Sequence, residues 1–119
     1  MSEERRNVKR SRFTYYMRVL DNNTQNLVGY LIDISSKGFQ LDSPQPIPVN
    51  RDYNLRLDLT PDISEKAFIV FTARSRWSRP DSSDPSSHDA GFQIIKISSS
   101  DDVIFQRIVT KYGSLESTW

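Results

Sequence analysis

Apolar side chains recur at every second position along most of this chain and change to helical spacing only near its end. Phe13, Tyr15, Met17 and Val19 share one face of a run rich in aromatic and β-branched residues, which predicts a strand over residues 13–19. Asp21 to Asn26 is a polar turn cluster, and Leu27 to Ile34 reads as a second strand closing a hairpin. The segment Ser35 to Gly38 turns the chain, and Phe39-Gln40-Leu41 resumes extended structure until Pro44, Pro46 and Pro48 stop it. Leucines alternate with polar residues from Asn54 to Leu59, so the leucines are expected inward. Phe68 to Trp77 is a long strand whose apolar start predicts burial on both faces. Arg79 to Ser87, rich in Pro, Ser and Asp, predicts a loop at a mobile hairpin tip. Ala90 to Ile94 alternates again; Ile95 and Ile97 then fall out of phase, as a β-bulge would cause.

The period changes after residue 100. Ile104, Phe105, Ile108, Val109 and Tyr112 form a helical apolar stripe. Ser99 or Ser100 is expected to cap this helix, Asp101 and Asp102 to favour its positive end, and Gly113 to follow it as a C′ residue. About six short strands joined by turns, then one helix over residues 100–112, predict an all-β-dominated antiparallel sandwich or small barrel with the helix over one open end.

Composition narrows the function more than the fold. The 119 residues suit one domain with a modest core. No apolar run approaches a membrane span, and the N-terminus lacks the apolar core of a secretory signal, so a cytoplasmic location without membrane insertion is expected. There is no cysteine and one histidine, His88, which removes thiolate metal sites and makes a Ser/His/Asp triad improbable. No nucleophile–base pair, metal set or phosphate loop is visible, so neither an enzyme nor a cofactor is expected. The net charge of +1 gives no global case for nucleic-acid binding. Its distribution is uneven: residues 1–18 carry six basic and two acidic side chains, a net +4. A basic arm on a near-neutral body points to a compact anionic partner.

Two short motifs give that partner chemical detail. Arg6-Asn7-Val8-Lys9-Arg10 reads RxxxR, with Arg5 beside it. A guanidinium binds phosphate oxygens in pairs, chelates guanine O6 and N7, and stacks on bases. Asp33-Ile34-Ser35-Ser36-Lys37-Gly38 reads DxSxxG. The Asp33 carboxylate can accept from the N1–H and N2–H2 edge of guanine, opposite the edge arginine reads. Ser35 offers a hydroxyl, and Gly38 permits a positive φ and close approach to the backbone. Seen alone, the second motif reads first as a β-turn bonded to its own side chains.

In this order and at this separation, the two motifs resemble the PilZ domain, the bacterial receptor for cyclic di-GMP. Arg76-Trp77, a loop, and Ala90 to Ile94 resemble the family's last strand pair, so the likeness runs over roughly residues 5–113. It implies a six-stranded antiparallel β-barrel over 13–113, with its C-terminal helix, a flexible N-terminal arm at 1–12 and a tail at 114–119. It implies cyclic di-GMP as ligand, with Arg6 and Arg10 matching one motif, Asp33, Ser35 and Gly38 the other, and Arg5 as an added guanidinium. Ser36 and Lys37 fall at variable positions. The aromatic stretch after RxxxR and the long segment 79–89 depart from the family pattern. The arm is expected to be mobile until it closes over ligand, and the domain to act through a downstream protein partner. Competing readings are a small-barrel binder of single-stranded nucleic acid and a PilZ-like protein adaptor without nucleotide. Other residues read as structural: Tyr15, Tyr16 and Tyr30 as core or cross-strand aromatics, Trp77 as barrel wall, His88 as a surface loop histidine, Asp101 and Asp102 as helix-capping. Arg74 and Arg76 could extend a basic face, and Trp119 is assigned nothing.

Overall fold

The computed structural model describes residues 17–113. The expected arm with Arg5, Arg6 and Arg10, the start of the first predicted strand, Tyr15, Tyr16 and the tail lie outside the described residues. Six strands are present: β1 (Arg18–Asp21), β2 (Leu27–Ser35), β3 (Gly38–Ser43), β4 (Asp52–Asp58), β5 (Phe68–Asp81) and β6 (Asp84–Ile97). They close into a barrel in the order β1-β2-β3-β6-β5-β4, every pair antiparallel. Helix α1 (Ser99–Tyr112) follows.

Period-two patterning fills the barrel. Val19, Leu31, Ile34, Phe39, Leu41, Leu55, Leu57, Ile69, Ala73 and Phe92 are buried inside it. Phe39 stacks on Phe92 at 5.1 Å between ring centroids and meets Phe71 edge-on at 5.5 Å; Phe71 in turn meets Phe105 of α1 at 6.1 Å. Through Ile104, Phe105 and Ile108 the helix plugs one end of the barrel. The slip foreseen near Ile95 is a bulge: Ile94 pairs with Ala73 and Lys96 with Thr72, leaving Ile95 unpaired.

Several expectations fail for identifiable reasons. The start of β5 is not buried on both faces. It alternates, with Phe68 36% exposed beneath the Arg56 guanidinium, which caps its ring at 4.1 Å. The segment 79–89 is a hairpin tip, as expected, but not a long loop. β5 and β6 continue to a two-residue tip at Ser82 and Ser83, where the Asp81 carboxylate accepts the Ser83 amide at 2.9 Å and its hydroxyl at 2.8 Å. Strand pairing overrides the loop-like composition there, and His88 therefore sits on a strand, opposite Ser43 and Pro80. The helix cap is Ser98, whose hydroxyl accepts the Asp101 amide at 3.2 Å. Gly113 is extended, with φ −76°, and donates to the Val109 carbonyl at 2.7 Å, so no left-handed glycine ends the helix.

Asp101 does more than favour the dipole. Its buried carboxylate accepts Lys66 Nζ at 2.6 Å and the Val70 amide at 3.2 Å, tying α1 to β5 and to the segment before it. Arg107 donates to the Ile63 carbonyl at 2.7 Å and Lys111 to Asp62 at 2.7 Å, which fastens the other helical flank. Burial raises the Asp101 pKa, but the Lys66 and Val70 hydrogen bonds outweigh it and hold the carboxyl below its ordinary value. Lys111, with Thr60, brings Asp62 down to about 2.

Two outcomes follow. Asp101→Ala should cost about 1–2 kcal/mol in denaturant unfolding, because the part-buried Val70 amide loses its acceptor. Both carboxylates are lowered on folding, so their stabilising effect is complete above the unfolded carboxyl range near pH 4. It is lost as pH falls, for Asp62 through about 2. Wild-type stability should therefore fall in acid with a steeper slope than that of Asp101→Ala.

Candidate functional site

The alternation that packs the core also decides what stands on the outer wall. In β2, Leu31 and Ile34 point inward across a bulge, so Asp33 and Ser35, on either side of Ile34, point outward. In β3, Phe39 and Leu41 point inward, and Gly38, Gln40 and Asp42 outward. Pairing carries these positions across β6 and β5. One outer row runs Asp33, Gln40, Gly91, Trp77. The next, at the β2–β3 turn, runs Ser35, Gly38, Gln93, Arg74. On the other side lie Tyr30, Asp42, Asp89 and Arg79.

The sequence motif thus places Asp33, Ser35 and Gly38 on one face in adjacent rows. Asp33 is 4% and Ser35 3% exposed. The Asp33 Oδ1 accepts the Ile34 amide at 2.9 Å, and the Ser35 hydroxyl reaches the Gly38 carbonyl at a long 3.5 Å. Gly38 does not serve through a positive φ, because among the described residues no glycine has one. It is the first residue of β3, paired with both Ser35 and Gln93.

Trp77 does not pack into the core side of the wall. Its indole lies outside, over Gly91, where a Cβ would overlap the ring. Arg79 stacks on the same indole at 4.6 Å. A glycine, an indole face and a guanidinium beside a buried carboxylate suit a flat, hydrogen-bonding ligand. Arg74 shares the outer face but is held by Asp52 in a two-point contact, 2.7 and 3.2 Å, and that contact lowers the Asp52 pKa. Arg76 is exposed at the bulge between Ser75 and Trp77.

Asp42, Asp81 and Asp89 each bring an oxygen within 4.8 Å of the others, the group that could hold a cation among the described residues. Ser87 donates to Asp42 and Ser83 to Asp81, so part of their acceptor capacity is used. This acidic corner, with Gln40, Gly91 and Arg79, went unread in the sequence. Gln40 meets Asp33 through the β2–β3 pairing, and Gly91, Asp89 and Arg79 join the same outer face only through the pairing of β3 with β6 and of β6 with β5.

The PilZ domain family model matches residues 4–111, which includes both motifs. The chain belongs to the PilZ domain family. No curated protein matches it. Among solved structures, this PilZ domain is similar to the Bacillus subtilis inhibitor of motility MotI/DgrA, with TM-score 0.61 and 14% identity. That match covers 80% of this chain and 45% of the other, so the chain spans less than half of that relative's length. It is also similar to the PilZ domain of YcgR from Escherichia coli, a structure with c-di-GMP, with TM-score 0.55 and 13% identity over 82% of this chain and 80% of that one. Both share its fold. No described helix is long and apolar enough to cross a membrane.

The Trp77–Gly91 contact gives a direct outcome. Gly91→Ala should displace the indole and cost about 1–2 kcal/mol by overpacking. In a Trp119→Phe background, the Trp77 emission should move toward that of an indole in water. Unchanged emission would contradict this packing.

Proposed function

We propose that this PilZ domain is a non-catalytic receptor for cyclic di-GMP. Arg6 and Arg10, with Arg5, clamp phosphates and the O6/N7 edge of guanine; Asp33 takes the N1–H and N2–H2 edge; Ser35 and Gly38 line the approach. The observation that carries this reading is the common outer face of Asp33, Ser35 and Gly38, in a chain whose family match spans the RxxxR arginines as well. The row Gln40, Gly91 and Trp77 supports it with a floor for a planar base.

Electrostatics explains why the arginines are required. Asp33 shares its face with Asp42 and Asp89, and Asp81 lies close to both. Guanidinium groups placed between these carboxylates and the two phosphates of the ligand would offset their mutual repulsion. The N-terminal segment supplies them, so ligand and arm bind as one unit. Closure of that arm then presents a new surface to a protein partner, in the cytoplasm where the second messenger is made.

Calorimetric titration with cyclic di-GMP tests the assignment. Arg10→Ala should weaken binding by about 2–4 kcal/mol, roughly 30- to 1000-fold, with little change in melting temperature. Asp33→Ala should weaken binding comparably and also cost about 1 kcal/mol of stability, because the Ile34 amide loses its acceptor. Arg12→Ala, outside the motif, should have a small effect. Equal losses for Arg10→Ala and Arg12→Ala that both vanish at high salt would reduce the arm to a diffuse charge patch and sink the proposal.

A further inference from the structure

The turn that carries the second motif is not self-supporting. Ser35 pairs with Gly38, so only Ser36 and Lys37 connect β2 to β3. Two-residue hairpins favour the mirror-image turns, which need a positive φ at the first or both connecting residues because that matches the twist of the strands. Among the described residues only Gln25 and Asn50 have positive φ, so neither Ser36 nor Lys37 does. A connection of ordinary hand between twisted strands tends to splay them, and here it is held from outside. The Ile94 amide, next to the β6 bulge, donates to the Lys37 carbonyl at 2.9 Å. From the other side the Gln106 Nε2 of α1 donates to the Ser36 carbonyl at 3.1 Å. Gln106 is itself oriented by Asp102 Oδ1, 3.2 Å away on the preceding helical turn.

We propose that Gln106 is a positioning residue for the ligand turn. By holding the Ser36 carbonyl it sets the distance between Ser35 on β2 and Gly38 on β3, although it sits 70 residues away in sequence and touches no motif side chain among its assigned bonds. The inference rests on the reading of this face as the cyclic di-GMP site. It implies a reciprocal effect, since whatever the helix contributes to ligand affinity, bound ligand returns to the seating of the helix. Because α1 is also fastened to residues 62, 63 and 66 by Lys111, Arg107 and Asp101, the brace links the ligand turn to the segment before β5.

The test uses the full chain and three proteins: wild type, Gln106→Met, which keeps length but loses the donor, and Gln106→Lys, which restores a donor. In the free proteins, amide exchange at Gly38 and Ile94, which flank the turn and donate across it, should quicken about three- to tenfold in Gln106→Met, the worth of one solvent-accessible hydrogen bond, and return toward wild type in Gln106→Lys. Cyclic di-GMP affinity, measured at high salt so that the added lysine charge is screened, should follow the same order and fall about three- to tenfold in Gln106→Met. A purely structural helix residue would lower the melting temperature without this local exchange signature or its rescue. Wild type that binds while Gln106→Met matches it in exchange and affinity overturns this inference alone. Wild type that binds no cyclic di-GMP overturns the reading of the site, and the inference with it.

Discussion

Phe39 and Phe92 face each other across the β3–β6 ladder with their rings stacked, 9° from parallel. That pair joins the β2–β3 hairpin to the β5–β6 hairpin, two units far apart in the chain. Side chains alternate with a period of two, so a slip of one residue between β3 and β6 would leave one of the two rings inside and turn the other out to solvent. The lost burial of one phenylalanine, worth about 1.5–3 kcal/mol, and of the other inward side chains on its strand penalises the slip strongly. The outer rows are thus a by-product of core packing: once Phe39 meets Phe92, Asp33, Gln40, Gly91 and Trp77 must line up on the outside.

The helix completes this arrangement at the end of the barrel where the motif turn lies. Phe105 extends the aromatic chain from Phe71, while Asp101, Arg107 and Lys111 hold the flanks through polar contacts. These bonds differ in weight. Asp101 is buried and accepts a backbone amide, so its loss leaves an unsatisfied donor. The Lys111–Asp62 pair is exposed and solvent-screened, and serves orientation more than stability.

The sequence disclosed those parts that rest on local periodicity. Alternation from Asn54 to Leu59, the slip at Ile95 and the stripe Ile104, Phe105, Ile108 each encode their own burial. Parts set by distant pairing were hidden. Pro80, Pro85 and the serines between read as loop, yet β5 and β6 pair to the tip because β3 and the rest of the ladder hold them in register. Asp101 looked like a dipole residue, since nothing in the sequence brings Lys66 and Val70 to it. Asp33, Ser35 and Gly38 were legible as a motif. The residues beside them, Gln40, Gly91 and Asp89, were not, because strand order has no local signature. Gly38 was read for a turn conformation it does not adopt, and its turn is braced by Gln106 and Ile94 instead.

The most direct test of the central claim, that the outer wall of β2, β3, β6 and β5 is a cyclic di-GMP site, is a backbone and indole amide NMR titration of the wild-type domain with that nucleotide. The account predicts saturable shifts at Asp33, Ser35, Gly38 and Gly91 and at the Trp77 Nε1–H, with Asn54, Arg56 and Asp58 of β4 unmoved. Shifts centred on Asn54, Arg56 and Asp58, or none at a large excess of ligand, would contradict it.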